Sequence, residues 1–192
     1  FVGQVTESAI KEIEILYDGA TAEMNTKALT SALLAGLIRS QVADVNMVSA
    51  PVMIKEKGII LSEVKRNKTG VYDGYIKLSV TTANQTRSVA GTVFSDGKPR
   101  FIQIKGINMD AEVGANMIYI SNTDAPGMIG FMGMTLGEGG VNIANFQLGR
   151  DKQGGDAIAL LYVDEPVKQE VLDTLTAHPA IRQAKPLVFS VD

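Results

Sequence analysis

The sequence predicts an α+β protein built in two parts, and three observations carry that expectation. Alternation of apolar and polar residues in period two recurs along most of the chain, as in half-buried strands. Two segments in the first half switch to apolar residues at helical spacing. In roughly the last eighty residues, strand and helix signals follow in the order βαββαβ.

The elements come in this order. "IKEIEILYDG" sets Ile13, Ile15 and Tyr17 against Glu12 and Glu14, a half-exposed strand closed by Asp18-Gly19. In "NTKALTSALLAGLIRSQV", Asn25 or Thr26 suits a cap, and Leu29, Leu33 and Leu37 recur every fourth residue as the stripe of an amphipathic helix. "SAPVMIKEKG" is a shorter helix with Ser49 as cap, Pro51 in the first turn and Gly58 at the end. "KRNK" reads as a solvated charged loop. From Asp73 onward "YIKLSVTT" and "TRSVAGTVF" alternate as strands, Asp96-Gly97 signals a tight hairpin, and "RFIQIKG" returns. Residues 1–114 thus read as a sheet with two helices.

A second unit, 115–192, begins after Gly114. "NMIYIS" is a strand, the glycine-rich stretch after it a helix, "VNIANFQLGR" a strand, "DKQGGD" a turn and "AIALLYVD" a strand. "PVKQEVLDTLTAHP" places Val167, Val171 and Leu175 at spacing four, a helix, and "IRQAKPLVFSVD" is the last strand. This is the ferredoxin-like split arrangement.

Composition narrows the chemistry. With 45% hydrophobic and 20% charged residues the chain is an ordinary globular sequence. A net charge of −3 opposes a surface built to neutralise phosphates, so nucleic acid is not an expected partner. No run of about 18 apolar residues exists, so no membrane span is expected. The absence of cysteine excludes disulfides, thiolate zinc sites and cysteine nucleophiles, and suits a reducing cytoplasm. A histidine-based triad would have to use His178, the sole histidine, which closes a helix in "LTAHPAI". Carboxylates show no metal-ligand spacing. Neither a catalytic set nor a metal site is expected in this chain.

The stretch "NTDAPGMIGFMGMTLGEGGVNI" invites a phosphate-loop reading. A Walker loop requires Gly-Lys-Ser/Thr, and no Lys follows these glycines; the dinucleotide pattern requires G-x-G, and here Gly127, Gly130 and Gly133 are spaced by three. A transmembrane Gly-xxx-Gly contact fails on helix length. What remains is local. Asp124 suits a cap, Pro126 suits the first turn, and Gly130, Gly133 and Gly137 form a smooth stripe open to close packing against a sheet or a second chain. Backbone N–H groups at Gly127, Met128 and Ile129 would form a carboxylate site at the helix start. Asn122, Asp124 and Asn142 would bracket it, with Asp124 facing the ammonium of a free amino acid and the amides its carboxylate or hydroxyl.

"SNTDAPGMIGFMGMTLGEGGVNIANFQLGR" followed by "GGDAIALLYVDEPV" resembles the ACT domain that ends the D-3-phosphoglycerate dehydrogenases. Upstream, "GQVTESAIKEIEILYDG", "VNMVSAPVMIKEKGI" and "RSVAGTVFSDGKPRFIQIKG" resemble the intervening ASB domain of the long-type enzymes, so the resemblance covers essentially all 192 residues. It implies the regulatory and oligomerisation region of an NAD-dependent oxidoreductase of L-serine biosynthesis, with NAD held by a catalytic half that this chain lacks. It further implies ACT domains that pair side by side and hold L-serine, or another small anion, on Asn122, Asp124 and Asn142. Some serine-responsive members carry His and Asn at the first two of these positions. For the ASB domain it implies an anion held on basic side chains, for which Lys65, Arg66, Lys68 and Arg87 are the local candidates. Two alternatives are an ASB/ACT subunit of an iron–sulfur L-serine dehydratase and a purely structural oligomerisation module.

Overall fold

The computed structural model describes residues 1–68 and 70–190, and the chain divides into two units, Phe1–Gly97 and Lys98–Asp192. In the first unit, α1 (Val2–Val5) precedes β1 (Ile10–Gly19), α2 (Ala20–Glu23), α3 (Thr26–Ile38), α4 (Ser49–Glu56), β2 (Ile60–Arg66), β3 (Gly74–Thr82) and β4 (Thr86–Val93). These strands lie in the order β2-β1-β3-β4. β1 runs parallel to β2 and antiparallel to β3. A parallel neighbour needs a crossover, and α2, α3 and α4 supply it. Ile13, Ile15 and Tyr17 of β1 are fully buried, packed in one cluster with Leu34, Ile38 and Ile54 from the helices. The alternation read from the sequence is therefore the division between helix-covered and open sheet faces.

Three local expectations are corrected here. The buried side of α3 is Thr26, Thr30, Leu34, Leu37 and Ile38, whereas Leu29 and Leu33 are only partly buried. The run Leu33-Leu34-Ala35 offers two stripes one residue apart, and Thr30 decides between them because its hydroxyl meets the buried Tyr17 hydroxyl at 2.9 Å. Ser49 does not cap α4. Asn46 accepts from the N–H groups of Val48 at 2.9 Å and Ser49 at 3.0 Å, while Ser49 Oγ accepts from the Asn46 N–H. Of "KRNK", Lys65 and Arg66 belong to strand β2 and not to a loop, because each residue from Ile60 to Arg66 has a partner on β1, while Asn67 and Lys68 follow the strand as loop.

The second unit opens with a hairpin of β5 (Pro99–Ile104) and β6 (Ile107–Glu112), turned by Lys105 at φ 51° and Gly106 at φ 82°. Two positive φ angles in a two-residue loop match the strand twist. Next come β7 (Asn116–Thr123), α5 (Met128–Glu138), β8 (Ile143–Arg150), β9 (Asp156–Val163), α6 (Gln169–Thr176) and β10 (Ile181–Val188). Sheet order β10-β7-β9-β8, antiparallel throughout, makes this the ferredoxin-like arrangement expected. Ile118, Ile120 and Leu161 of the sheet pack with Met132 and Leu136 of α5 and Leu175 of α6. β6 lies against β8, where a Cβ on Gly149 would come 2.8 Å from the Asn108 carbonyl oxygen.

Candidate functional site

Two cavities gather polar side chains. The first lies where β7 runs out into α5. Asn122 is held in the sheet between Ala157 of β9 and Ile181 of β10 and is 1% exposed. Its Nδ2 donates to the Thr123 carbonyl at 2.8 Å, and its Oδ1 is buried without a hydrogen-bond partner. Two residues on, the Asp124 N–H donates to the Gly155 carbonyl at 2.8 Å. Asp124 Oδ2 accepts from the Gly154 N–H at 3.0 Å and from Arg150 Nη1 at 2.8 Å. The Gly154 amide first, then the guanidinium, hold the Asp124 carboxyl below the usual carboxylate range.

Asp124 is therefore not the cap of α5, and Pro126 is not in its first turn. Gly127 stands at the N-cap with φ 87°, a left-handed conformation that only glycine adopts without strain, and its carbonyl accepts from the Phe131 N–H at 2.9 Å. Asp124 is drawn instead to the β8–β9 turn, which topology brings beside the end of β7. The cavity of about 180 Å³ is lined by Asn122, Asp124, Gly127, Met128, Ile129 and Leu148, among others. Asn142 is elsewhere. It precedes β8, whose Ile143 pairs with Val163, itself opposite Asn116 at the far end of β7 from Asn122. Its Nδ2 donates to Asp164 Oδ2 at 2.6 Å.

Among the described residues, nothing packs closely on the glycine stripe. A Cβ on Gly130, Gly133 or Gly137 would meet nothing within 4 Å, and Ile129 and Met134 nearby are 55% and 67% exposed. Close internal packing of that stripe is thus overturned, because α5 seats Met128, Met132 and Leu136 on the sheet and turns its glycines outward.

The second cavity, about 190 Å³, lies at the end of β1 and is lined by Asp18, Gly19, Arg66, Lys68, Tyr72 and Tyr75, among others. Asp18 is 3% exposed. Arg66 donates to Asp18 Oδ2 through Nε at 2.7 Å and through Nη2, and its Nη2 also reaches the Tyr75 hydroxyl at 2.8 Å. The Lys68 N–H donates to Asp18 Oδ1 at 3.1 Å. Arg66 chiefly holds the Asp18 carboxyl below its ordinary range, while burial chiefly raises the Tyr75 phenol. Of the four basic candidates only Arg66 and Lys68 share this cavity. Lys65 alternates to the opposite sheet face, and Arg87, 7% exposed with an unpartnered Nε, pairs with Val80 on β3, well away from Tyr75. His178 is structural: its Nδ1 accepts from the Ala180 N–H at 3.2 Å and its ring lies 4.5 Å from that of Phe131.

Asp18, Tyr75, Arg150 and Gly154 are site residues that sequence reasoning missed. Asp18 carried only the signal of a strand-ending Asp-Gly pair, and Arg150 that of a cation beside the "DKQGGD" turn. Among the described residues, no helix is long and apolar enough to cross a membrane.

A structure of the ACT domain from GTP pyrophosphokinase of Chlorobium tepidum covers 38% of this chain and 95% of its own, at 19% identity and a TM-score of 0.31. The D-3-phosphoglycerate dehydrogenase of Bacillus subtilis is 34% identical over 185 residues, covering 96% of this chain and 35% of that protein. That of Methanocaldococcus jannaschii is 30% identical over 182 residues, covering 94% of this chain and 34% of that protein. The chain thus spans about a third of the length of these relatives. Residues 1–105 match the D-3-phosphoglycerate dehydrogenase intervening domain, a stretch that takes in all of β1 to β5, including the Asp18–Arg66 cavity. The chain belongs to that intervening-domain family of the D-3-phosphoglycerate dehydrogenases.

Proposed function

We propose that this chain is the regulatory and assembly region of an NAD-dependent D-3-phosphoglycerate dehydrogenase of L-serine synthesis. In this reading residues 1–114 form its ASB domain and residues 115–192 an ACT domain that binds L-serine at the start of α5. The catalytic half that binds NAD lies outside the chain, and the whole works in the cytoplasm.

The observation that carries the reading is the pair of acceptors in one cavity. Asn122 Oδ1 is buried without a donor, and both donors to Asp124 converge on Oδ2, which leaves Oδ1 for a ligand. A buried acceptor without a donor costs about 1–3 kcal/mol, which an ammonium group would relieve. The helix start beside Gly127 favours a carboxylate. Acceptors on one side and a helix N-terminus on the other suit a zwitterion, and a cavity of about 180 Å³ suits a small one. Asn142 lies too far along the sheet to join this site from the same chain, so it would come from a second copy paired side by side. Arg66 and Lys68 are the proposed anion contacts of the ASB domain, in a pocket already half-neutralised by Asp18.

Isothermal titration of the chain with L-serine tests the effector site. The reading expects saturable heat that Asn122→Leu abolishes; no heat at millimolar ligand would sink it.

A further inference from the structure

β2 is the outermost strand of the first unit's sheet, and every residue but Ser62 is exposed. Ile60, Leu61 and Val64 are 64%, 37% and 42% exposed. The strand holds an unbroken register with β1, from Glu12↔Ile60 to Asp18↔Arg66. It contains no proline, glycine or bulge, the devices by which sheet edges commonly block further pairing. Its charges are Glu63, Lys65 and Arg66, flanking the apolar Val64.

We propose that β2 is a self-recognition edge, on which a second copy of this chain adds its own β2 antiparallel about a two-fold axis through Val64. The charge pattern selects the occupant and the register. Centred on Val64, the pairing sets Glu63 opposite the partner's Lys65 and Lys65 opposite the partner's Glu63. The two-fold repeats each opposite-charge pair, and the two valines meet at the centre. A one-residue shift puts Glu63 against itself or Lys65 against itself, and like charges directly opposite destabilise a sheet. A shift to Ser62 leaves both charges without opposite partners. Two-fold pairing is self-complementary by construction, so no other chain is required.

The chain's lack of cysteine makes the test clean. Directly opposed residues of antiparallel strands have Cα atoms about 4.5–5.5 Å apart, within the disulfide range. A Val64→Cys variant should therefore cross-link to a dimer under mild oxidation. An Ile60→Cys variant should stay largely uncross-linked, since its own copy lies about eight residues, or roughly 27 Å, along the pair. In the Val64→Cys background, Lys65→Glu should cut cross-linking roughly fivefold or more, and adding Glu63→Lys should restore it. Glu63→Lys also removes the bond that Glu63 accepts from Thr30, so the double variant's circular dichroism is recorded alongside. Cross-linking as fast at position 60 as at 64, no cross-linking at 64, or no rescue in a folded double variant would each overturn the proposal.

Discussion

At Asp124 one carboxylate oxygen ties three parts of the second unit together: the end of β7, Arg150 at the end of β8, and the turn at Gly154. Its folded pKa is depressed, so its contribution to stability is present above the ordinary carboxylate pKa and is lost as pH falls through the lowered folded value. Asp18 follows the same sign, with Arg66 as the chief cause. Acid unfolding curves of Asp124→Asn and Asp18→Asn should accordingly be flatter below about pH 4 than that of the parent. Arg150→Gln removes a positive charge from beside the acceptor proposed for an ammonium, while the Gly154 amide still orients the carboxylate. Serine affinity should rise roughly threefold to tenfold at low salt, and the gain should shrink at high salt. Titration at two ionic strengths checks this; a salt-independent change would contradict it. Asn122→Leu removes the unsatisfied Oδ1 along with the Nδ2 bond to the Thr123 carbonyl at similar volume, so the two effects offset and thermal unfolding should move by no more than about 1 kcal/mol even as ligand heat disappears.

Among the elements, α3 and α5 show how a helix face is chosen. The α3 face is set by a relay: Thr30 Oγ1 donates to Glu63 Oε1 at 2.9 Å, so the Tyr17 hydroxyl donates to Thr30. Thr30→Val keeps the shape but leaves the buried Tyr17 hydroxyl without an acceptor, which should cost about 1–3 kcal/mol in chemical denaturation. Thr30→Ser should recover most of it. The α5 face is set by volume, with Met132 and Leu136 fully buried. Leu136→Ala should cost about 2–5 kcal/mol, whereas Gly133→Leu, on the open side, should leave the chain folded. Sedimentation of the Gly133→Leu variant then reports whether the stripe meets a second copy, because an unchanged mass would count against that face as a contact.

For the whole molecule, the separation of Asn122 and Asn142 to opposite ends of one sheet makes the proposed effector site a property of two chains. Chains carrying Asn122→Leu and chains carrying Asn142→Ala should each lose serine heat. Mixed after refolding together, they should recover about a quarter of the parent's sites, since random pairing makes half the dimers mixed and each mixed dimer has one intact site. No recovery would overturn a site shared between two chains. In the proposed reading, ligand bound between two chains biases the proposed catalytic half only through different affinities for two arrangements, so the strength of that coupling bounds any inhibition.

The sequence by itself determined the α+β class, the βαββαβ order and the strand that buries Ile13, Ile15 and Tyr17, because hydrophobic period is a local signal that burial then obeys. It also marked Asn122, Asp124 and Gly127 as neighbours, since they are neighbours in the chain. Tertiary structure alone decided what those residues do. Asp124 left its expected cap for Arg150 and Gly154, Arg66 met Asp18 across two strands, and Asn142 was carried to the far end of the sheet. β2 escaped notice because an edge strand exposed on nearly every residue has no burial to impose a period. The leucine row of α3 misled by one residue because what settled the face was a hydroxyl partner thirteen positions away in sequence, not hydrophobicity.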